Sequence, residues 1–161
     1  MNDPTRIHAT IATPLGTMAA TFSGPALTSL VFVDAPGTIP DSRSGDAPAS
    51  MAALCAALDD YFAGRGAHFD IPLAPAGTAF QQAVWKALRD IPYGATASYG
   101  EIARRIGRPR AVRAVGAANA RNPIAIIVPC HRVIGADRTL TGYSGGLERK
   151  RALLELESRA R

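Results

Sequence analysis

From Ile7 to Thr13 apolar and polar residues alternate, and Pro14-Leu15-Gly16 turns the chain. Met18 to Phe22 and Leu27 to Val33 repeat the pattern on either side of Ser23-Gly24-Pro25. A period of two with such punctuation predicts three strands joined by tight turns. Between 34 and 48 the pattern gives way to Pro, Gly, Ser and Asp, which predicts a flexible surface loop. The period then lengthens. Leu54, Leu58, Tyr61 and Phe62 share one face of a helix from about Ala49 to Phe62, with Met51 and Cys55 alongside, and Gly64 and Gly66 end it. Cys55 reads as a small core residue. His68 to Leu73 reads as a short edge strand and Ala74-Pro75-Ala76-Gly77 as a linker. Residues 1–76 are therefore expected to form a small α+β domain.

The pattern of 77–161 is mainly helical. Thr78-Ala79-Phe80-Gln81 is a capping box, and Phe80, Val84, Ala87, Leu88 and Ile91 form one apolar stripe before Pro92-Tyr93-Gly94. Trp85 reads as packing. Ser98-Tyr99-Gly100-Glu101 is a second capping box, opening a helix through Ile102, Ala103 and Ile106. Gly107-Arg108-Pro109 turns into a third helix from about Arg110 to Ala120. Helix, short turn and helix is the helix-turn-helix pattern. Reading bases in the major groove needs long polar side chains. This third helix offers Ala111, Val112, Ala114, Val115 and Gly116, with Arg113 an isolated cation among them. A smooth surface of that kind suits close approach to the DNA backbone and minor-groove binding. An Ala-rich core helix has the same composition.

Asn122-Pro123 breaks the helix, and the apolar run Ile124 to Val128 predicts a buried strand. It would end at Pro129, which cannot donate to a ladder. Cys130 and His131 would then sit at a strand end, beside the core yet reachable. Only a thiolate reacts, and its neighbours set how much of it exists, so this is a candidate nucleophile and base. A structural Cys beside a bonded His fits the pentapeptide Pro129 to Val133 equally well. Thr141 to Gly146 is a loop that a ligand can approach closely. The last helix runs from Leu147 to about Glu157, with Leu147, Leu153, Leu154 and Leu156 as apolar cover. Glu155 and Glu157 lie in its final turn, where the helix dipole disfavours negative charge. Such an acid is either solvated or held by a partner, and His131 is a candidate.

The charge is lopsided. Residues 1–76 hold three Lys/Arg against seven Asp/Glu, and residues 77–161 hold fifteen against six, giving net charges of −4 and +9. This points to an anionic polymer as partner of the second half. The two cysteines form no disulfide framework and no C-x-x-C pair, which argues against structural zinc. No stretch has membrane-spanning length, and the first residues lack a signal-peptide pattern, so a cytoplasmic protein with no membrane partner is expected.

These motifs resemble the methylated-DNA–protein-cysteine methyltransferases, the O6-alkylguanine-DNA alkyltransferases. The resemblance runs from Phe80 to Glu157. It rests on Ile127 to Gly135, flanked by Ile91 to Gly94, Ser98 to Glu101, Arg113 to Gly116, Asn122-Pro123 and Thr141 to Leu147. Tyr61 to Gly64 and Phe69 to Leu73 extend it more loosely. The fold implied is a small ribonuclease H-like α+β domain, then a mainly helical domain like a winged helix-turn-helix. The reaction implied is direct, irreversible transfer of an alkyl group from O6-alkylguanine, and from O4-alkylthymine, in duplex DNA to Cys130. The resemblance makes His131 the base, acting through a water, and Glu157 its orienting acid. Asn122 would tie the turn to the active-site loop. Arg113 would replace the flipped nucleotide, with Ala111, Ala114 and Gly116 against the DNA. Tyr99 would assist flipping and donate to the departing guanine. Val133, Tyr143, Ser144 and Gly145 would line the base pocket.

No cofactor or metal is implied. The protein would act as a monomer, with possible cooperation between copies along DNA. Asp137-Arg138-Thr139 stands where members often carry Gly, and Val112 is bulkier than the Ala common in that helix. The other readings are a non-catalytic helix-turn-helix regulator, which leaves Cys130, His131 and Glu157 without purpose, and a Cys-His hydrolase, which leaves the smooth Arg-bearing helix unexplained.

Overall fold

The computed structural model describes residues 6–34 and 48–159. Most of the 34–48 loop expected from composition lies outside the described residues. The chain divides into two compact units, Met1–Ala76 and Gly77–Arg161. Among the described residues no helix is long and apolar enough to cross a membrane.

In the first unit, β1 (Arg6–Thr13), β2 (Gly16–Ser23) and β3 (Ala26–Phe32) form an antiparallel meander. Gly16 and Gly24, at φ 119° and 56°, supply the left-handed residues that its two tight turns require. Met18, Ala20, Phe22, Leu27 and Leu30 are buried. Helix α1 (Ala49–Phe62) adds Leu54, Leu58 and Tyr61 to that core. Cys55, expected in the core, is only half-buried. Tyr61 and Leu58 hold the inward face of α1, and Cys55 lies at its border. His68 to Leu73 is not a strand. Its one ladder contact is a parallel bridge from Leu73 to Leu27, because Pro72 offers a carbonyl but no donor.

In the second unit both capping boxes form. Helix α2 (Ala79–Arg89) starts from Thr78, with Gln81 reaching back, and α3 (Tyr99–Arg105) starts from Ser98, with Glu101 reaching back. Helix α4 (Val112–Ala120) follows the turn at Gly107. Val84, Trp85, Leu88, Ile102, Ala103, Val115 and Ala118 pack the three helices together. The indole of Trp85 donates to the Ala118 carbonyl at 2.9 Å, so this ring is core. Two short strands, β4 (Ala97–Ser98) and β5 (Val133–Ile134), pair in parallel and bring the start of α3 beside the residues that follow Cys130. Helix α5 (Leu147–Arg159) closes the unit. Leu147, expected to cover the core, is 47% exposed, and the buried face of α5 is Lys150, Leu153 and Glu157.

The run Ile124 to Val128 is buried as expected, yet it is not a strand. It folds into turns, with Val128 N–H donating to the Ile124 carbonyl and Ile127 N–H to that of Ala125. Ile126 takes φ 71°, a left-handed value that costs a β-branched residue. The segment can leave the ladder because the Asn122 side chain satisfies its ends. Asn122 Nδ2 donates to the carbonyls of Val128 at 2.7 Å and Ile124 at 3.2 Å, and Oδ1 accepts from Ile124 N–H at 3.0 Å. The Asp137 turn is compact, closed at Gly135 and with no glycine at 137–139. Arg138 adopts φ 66°, and Asp137 Oδ1 accepts from both the N–H and the hydroxyl of Thr139.

Candidate active site

Pro129 ends the folded-in segment, and Cys130–Arg132 form a single 3-10 turn with all three side chains buried. Cys130 is 2% exposed, so the thiol expected to be reachable lies under the surface. The inward turns of 124–128 take the place of a strand that would have carried it to an edge. Burial pushes the Cys130 thiol up, while a hydrogen bond from Asn122 and the charge of Lys150 draw it back part of the way. The resting residue is therefore a protonated thiol.

His131 is wholly buried, and its Nε2 is hydrogen-bonded to Glu157 on the last turn of α5. Burial lowers its basicity, and the Glu157 carboxylate only partly restores it, so the ring is neutral near pH 7. Burial alone would raise the Glu157 carboxyl. Hydrogen bonds and charge from His131 and Arg132 outweigh it and hold the carboxyl below its ordinary range. Arg132 Nε donates to Glu157 at 2.5 Å and its Nη1 to the Ile91 carbonyl at 2.7 Å, while the guanidinium lies 5.7 Å from the centre of the Tyr93 ring. An ionised carboxylate only accepts, so Nε2 carries the ring hydrogen and Nδ1 the free lone pair. That Nδ1 is buried without a protein partner.

Lys150 is buried on the same face of α5 as Glu157, and its Nζ donates to the carbonyls of Val133 at 2.6 Å and Thr141 at 2.7 Å. Those bonds pin the 141–146 loop to β5. Tyr99 pins it a second time, its hydroxyl lying 2.9 Å from Thr141 Oγ1. Val133 is buried, Tyr143 and Gly145 are half-buried, and Ser144 is exposed. The Tyr143 hydroxyl is buried without a partner, and burial together with the nearby Cys130 makes it harder to ionise. Two surface hollows of about 350 and 450 Å³ flank Ile134 and reach neither Cys130 nor His131.

Cys130, His131, Glu157 and Asn122 thus form one cluster, with Tyr99 and the Tyr143 loop joined through Thr141. Ala111 is the half-buried N-cap of α4. Arg113 and Ala114 point out from its first turn, and Gly116 lies against the Tyr99 ring, where an added Cβ would sit 3.8 Å from a ring carbon. The sequence reasoning missed Arg132, Lys150 and Asn119 as parts of the cluster. Asn119 is buried and its Nδ2 reaches the Cys130 carbonyl at 3.4 Å. Helical spacing carried a signal for two of them: Lys150 shares a stripe with Leu153 and Glu157, and Asn119 shares one with Val115.

The family model for the 6-O-methylguanine DNA methyltransferase DNA-binding domain matches residues 79–159. A methylated-DNA–protein-cysteine methyltransferase of Mycolicibacterium paratuberculosis is 52% identical over 154 residues, covering 94% of this chain and 92% of that protein. A crystal structure of Mycobacterium tuberculosis O6-methylguanine methyltransferase superposes with a TM-score of 0.84 at 51% identity, covering 97% of this chain and 94% of that one. A crystal structure of Mycobacterium tuberculosis OGT in complex with DNA gives 0.84 at 52% identity, covering 95% and 93%. Identity and coverage at this level, across both units and through the buried Cys130 turn, place the chain in the methylated-DNA–protein-cysteine methyltransferase family of DNA-binding repair enzymes.

Proposed function

We propose that this chain repairs duplex DNA by moving the alkyl group of O6-alkylguanine, and that of O4-alkylthymine, irreversibly onto Cys130. The observation that carries this reading is the buried His131 ring, fixed by Glu157 through Nε2 and offering its Nδ1 lone pair one residue from the thiol. The thiol is protonated at rest, so reaction begins with loss of its proton, passed through a bridging water to Nδ1. The sulfur attacks the alkyl carbon as the carbon–oxygen bond breaks, and the electron pair leaves on the base. Tyr99 donates to that leaving guanine, while the positive charge forming on His131 is held by Glu157. The thioether formed has no group beside it to reverse it, so each molecule acts once.

The guanine oxygen is inside the stack, and the nucleotide must be extruded to reach a buried thiol. Exposed Arg113, on a helix whose neighbours Ala111, Ala114 and Gly116 are small, fills the gap from the minor groove. The extruded base then lies by Val133, Tyr143, Ser144 and Gly145. In this reading the first unit is ribonuclease H-like, the second is a winged helix-turn-helix, and the protein acts as a monomer. Both cysteines are free thiols, as a reducing compartment would keep them. Cys130→Ser tests the reading: it should abolish repair and keep duplex binding. Repair by that variant would overturn it.

A further inference from the structure

The segment Ile91-Pro92-Tyr93-Gly94, which follows α2, holds Arg132 twice. The Ile91 carbonyl accepts from Arg132 Nη1 at 2.7 Å, and the guanidinium lies over the half-buried Tyr93 ring, 5.7 Å from its centre. Gly94, at φ 80°, turns the chain just after that ring. Arg132 is 5% exposed, so little water reaches its charge. The face of an aromatic ring within about 6 Å attracts a guanidinium, and more strongly where water is excluded. The same guanidinium donates through Nε to Glu157, and Glu157 holds Nε2 of His131. Tyr93 is harder to ionise than an ordinary tyrosine, first through burial and then through the charge of Glu157, so the ring lies near the acid as well. Ring, cation, acid and base therefore stand in one line.

We propose that Tyr93 is a positioning residue for alkyl transfer, its ring holding Arg132 on the Glu157 carboxylate and so fixing the acid that orients His131. The proposal rests on the function proposed above, in which His131 takes the thiol proton. The charges that face His131 are Glu157 and Lys150 from α5 and Arg132 from its own turn, and the Cys130 thiol beside it is uncharged at rest. Glu157 raises the basicity of the ring, and Arg132 and Lys150 lower it. Without the Tyr93 ring, Arg132 loosens from Glu157. A positive charge then recedes from His131, and the carboxylate no longer divides its hold between the two. Both changes make the imidazole more basic, so it takes up a proton at higher pH and stops serving as a base there.

The test follows transfer from free O6-benzylguanine between pH 8 and pH 5, so that no step on DNA enters. Tyr93→Leu and Tyr93→Met remove the ring and keep apolar bulk, while Tyr93→Phe keeps the ring. In the two ringless variants the loss of rate on the acid side should set in about half a pH unit higher than in the unaltered protein. In Tyr93→Phe it should stay where it is. At pH 7 the Nε2 hydrogen of His131, read by NMR, should move downfield in the ringless variants alone, as its bond to Glu157 strengthens. Simple loosening of the fold lowers the rate at every pH and leaves the acid limb in place. An unmoved limb and an unmoved resonance in Tyr93→Leu or Tyr93→Met would overturn the proposal. A limb moved as far by Tyr93→Phe would overturn it too, by assigning the effect to the hydroxyl. Absence of transfer to Cys130 from every form, with the resonance still moved by the ringless variants alone, would sink the underlying function and leave the hold of Tyr93 on the acid and base standing.

Discussion

The Glu157 carboxylate, on the last turn of α5, accepts the ring hydrogen of His131 across 26 positions of sequence. Arg132 binds the other carboxylate oxygen. One acid thus fixes the tautomer of the base while a cation keeps that acid ionised. Glu157→Gln should slow alkyl transfer to both duplex DNA and free O6-benzylguanine, because His131 serves the thiol in both. It also leaves Arg132 buried without its counter-ion, which should cost about 3–5 kcal/mol of stability. Stopped-flow transfer rates and urea unfolding check the two halves. Unchanged transfer to the free base would remove Glu157 from the mechanism.

Stability should fall in two stages on acidification. His131 is held below its ordinary value of 6.5, so the unfolded chain takes up its proton first and stability declines as pH drops through that value. Glu157 is held below its ordinary value of 4.5, so its contribution is present above 4.5 and is lost as pH falls through its lower folded value. Urea midpoints from pH 8 to pH 3 read both stages. A midpoint that rises on going from pH 7 to pH 5 would contradict the neutral, buried imidazole.

Much of this cluster was legible in the sequence, for stated reasons. The capping boxes at Thr78 and Ser98 are local chemistry, and both form as written. Glu155 and Glu157 both stood out as acids at a helix C-terminus, either solvated or held by a partner, and the family resemblance singled out Glu157. Ile124 to Val128 misled because burial and β-branching are the same in a strand and in an inward turn. What decides is the Asn122 side chain, which replaces a ladder. Lys150 was passed over because it sits between Arg149 and Arg151 and reads as a solvated face, although it shares a helical stripe with Leu153 and Glu157. Its partners, the carbonyls of Val133 and Thr141, are fixed only by the tertiary fold.

Arg113 is exposed and takes no part in the Cys130 cluster. Arg113→Ala should therefore slow repair in duplex DNA strongly and leave transfer from free O6-benzylguanine nearly unchanged, since a free base needs no extrusion. Equal loss in both assays would make the residue structural.

Binding to undamaged duplex should be electrostatic and nearly blind to sequence, given a net charge of +9 on residues 77–161 and a smooth α4. The logarithm of affinity should fall linearly with that of salt, by about 0.9 for each phosphate neutralised. A strong preference for one undamaged sequence at fixed salt would count against a helix without base-reading side chains.

The central claim is that the Cys130 thiol accepts the alkyl group and keeps it. Intact mass spectrometry after mixing the protein with duplex DNA containing excess O6-methylguanine measures this directly. The mass should rise by one methyl in place of the thiol hydrogen, once per molecule, with the label on the peptide that holds Cys130. Methyl on Cys55, or lesions repaired in number beyond the protein molecules present, would contradict it.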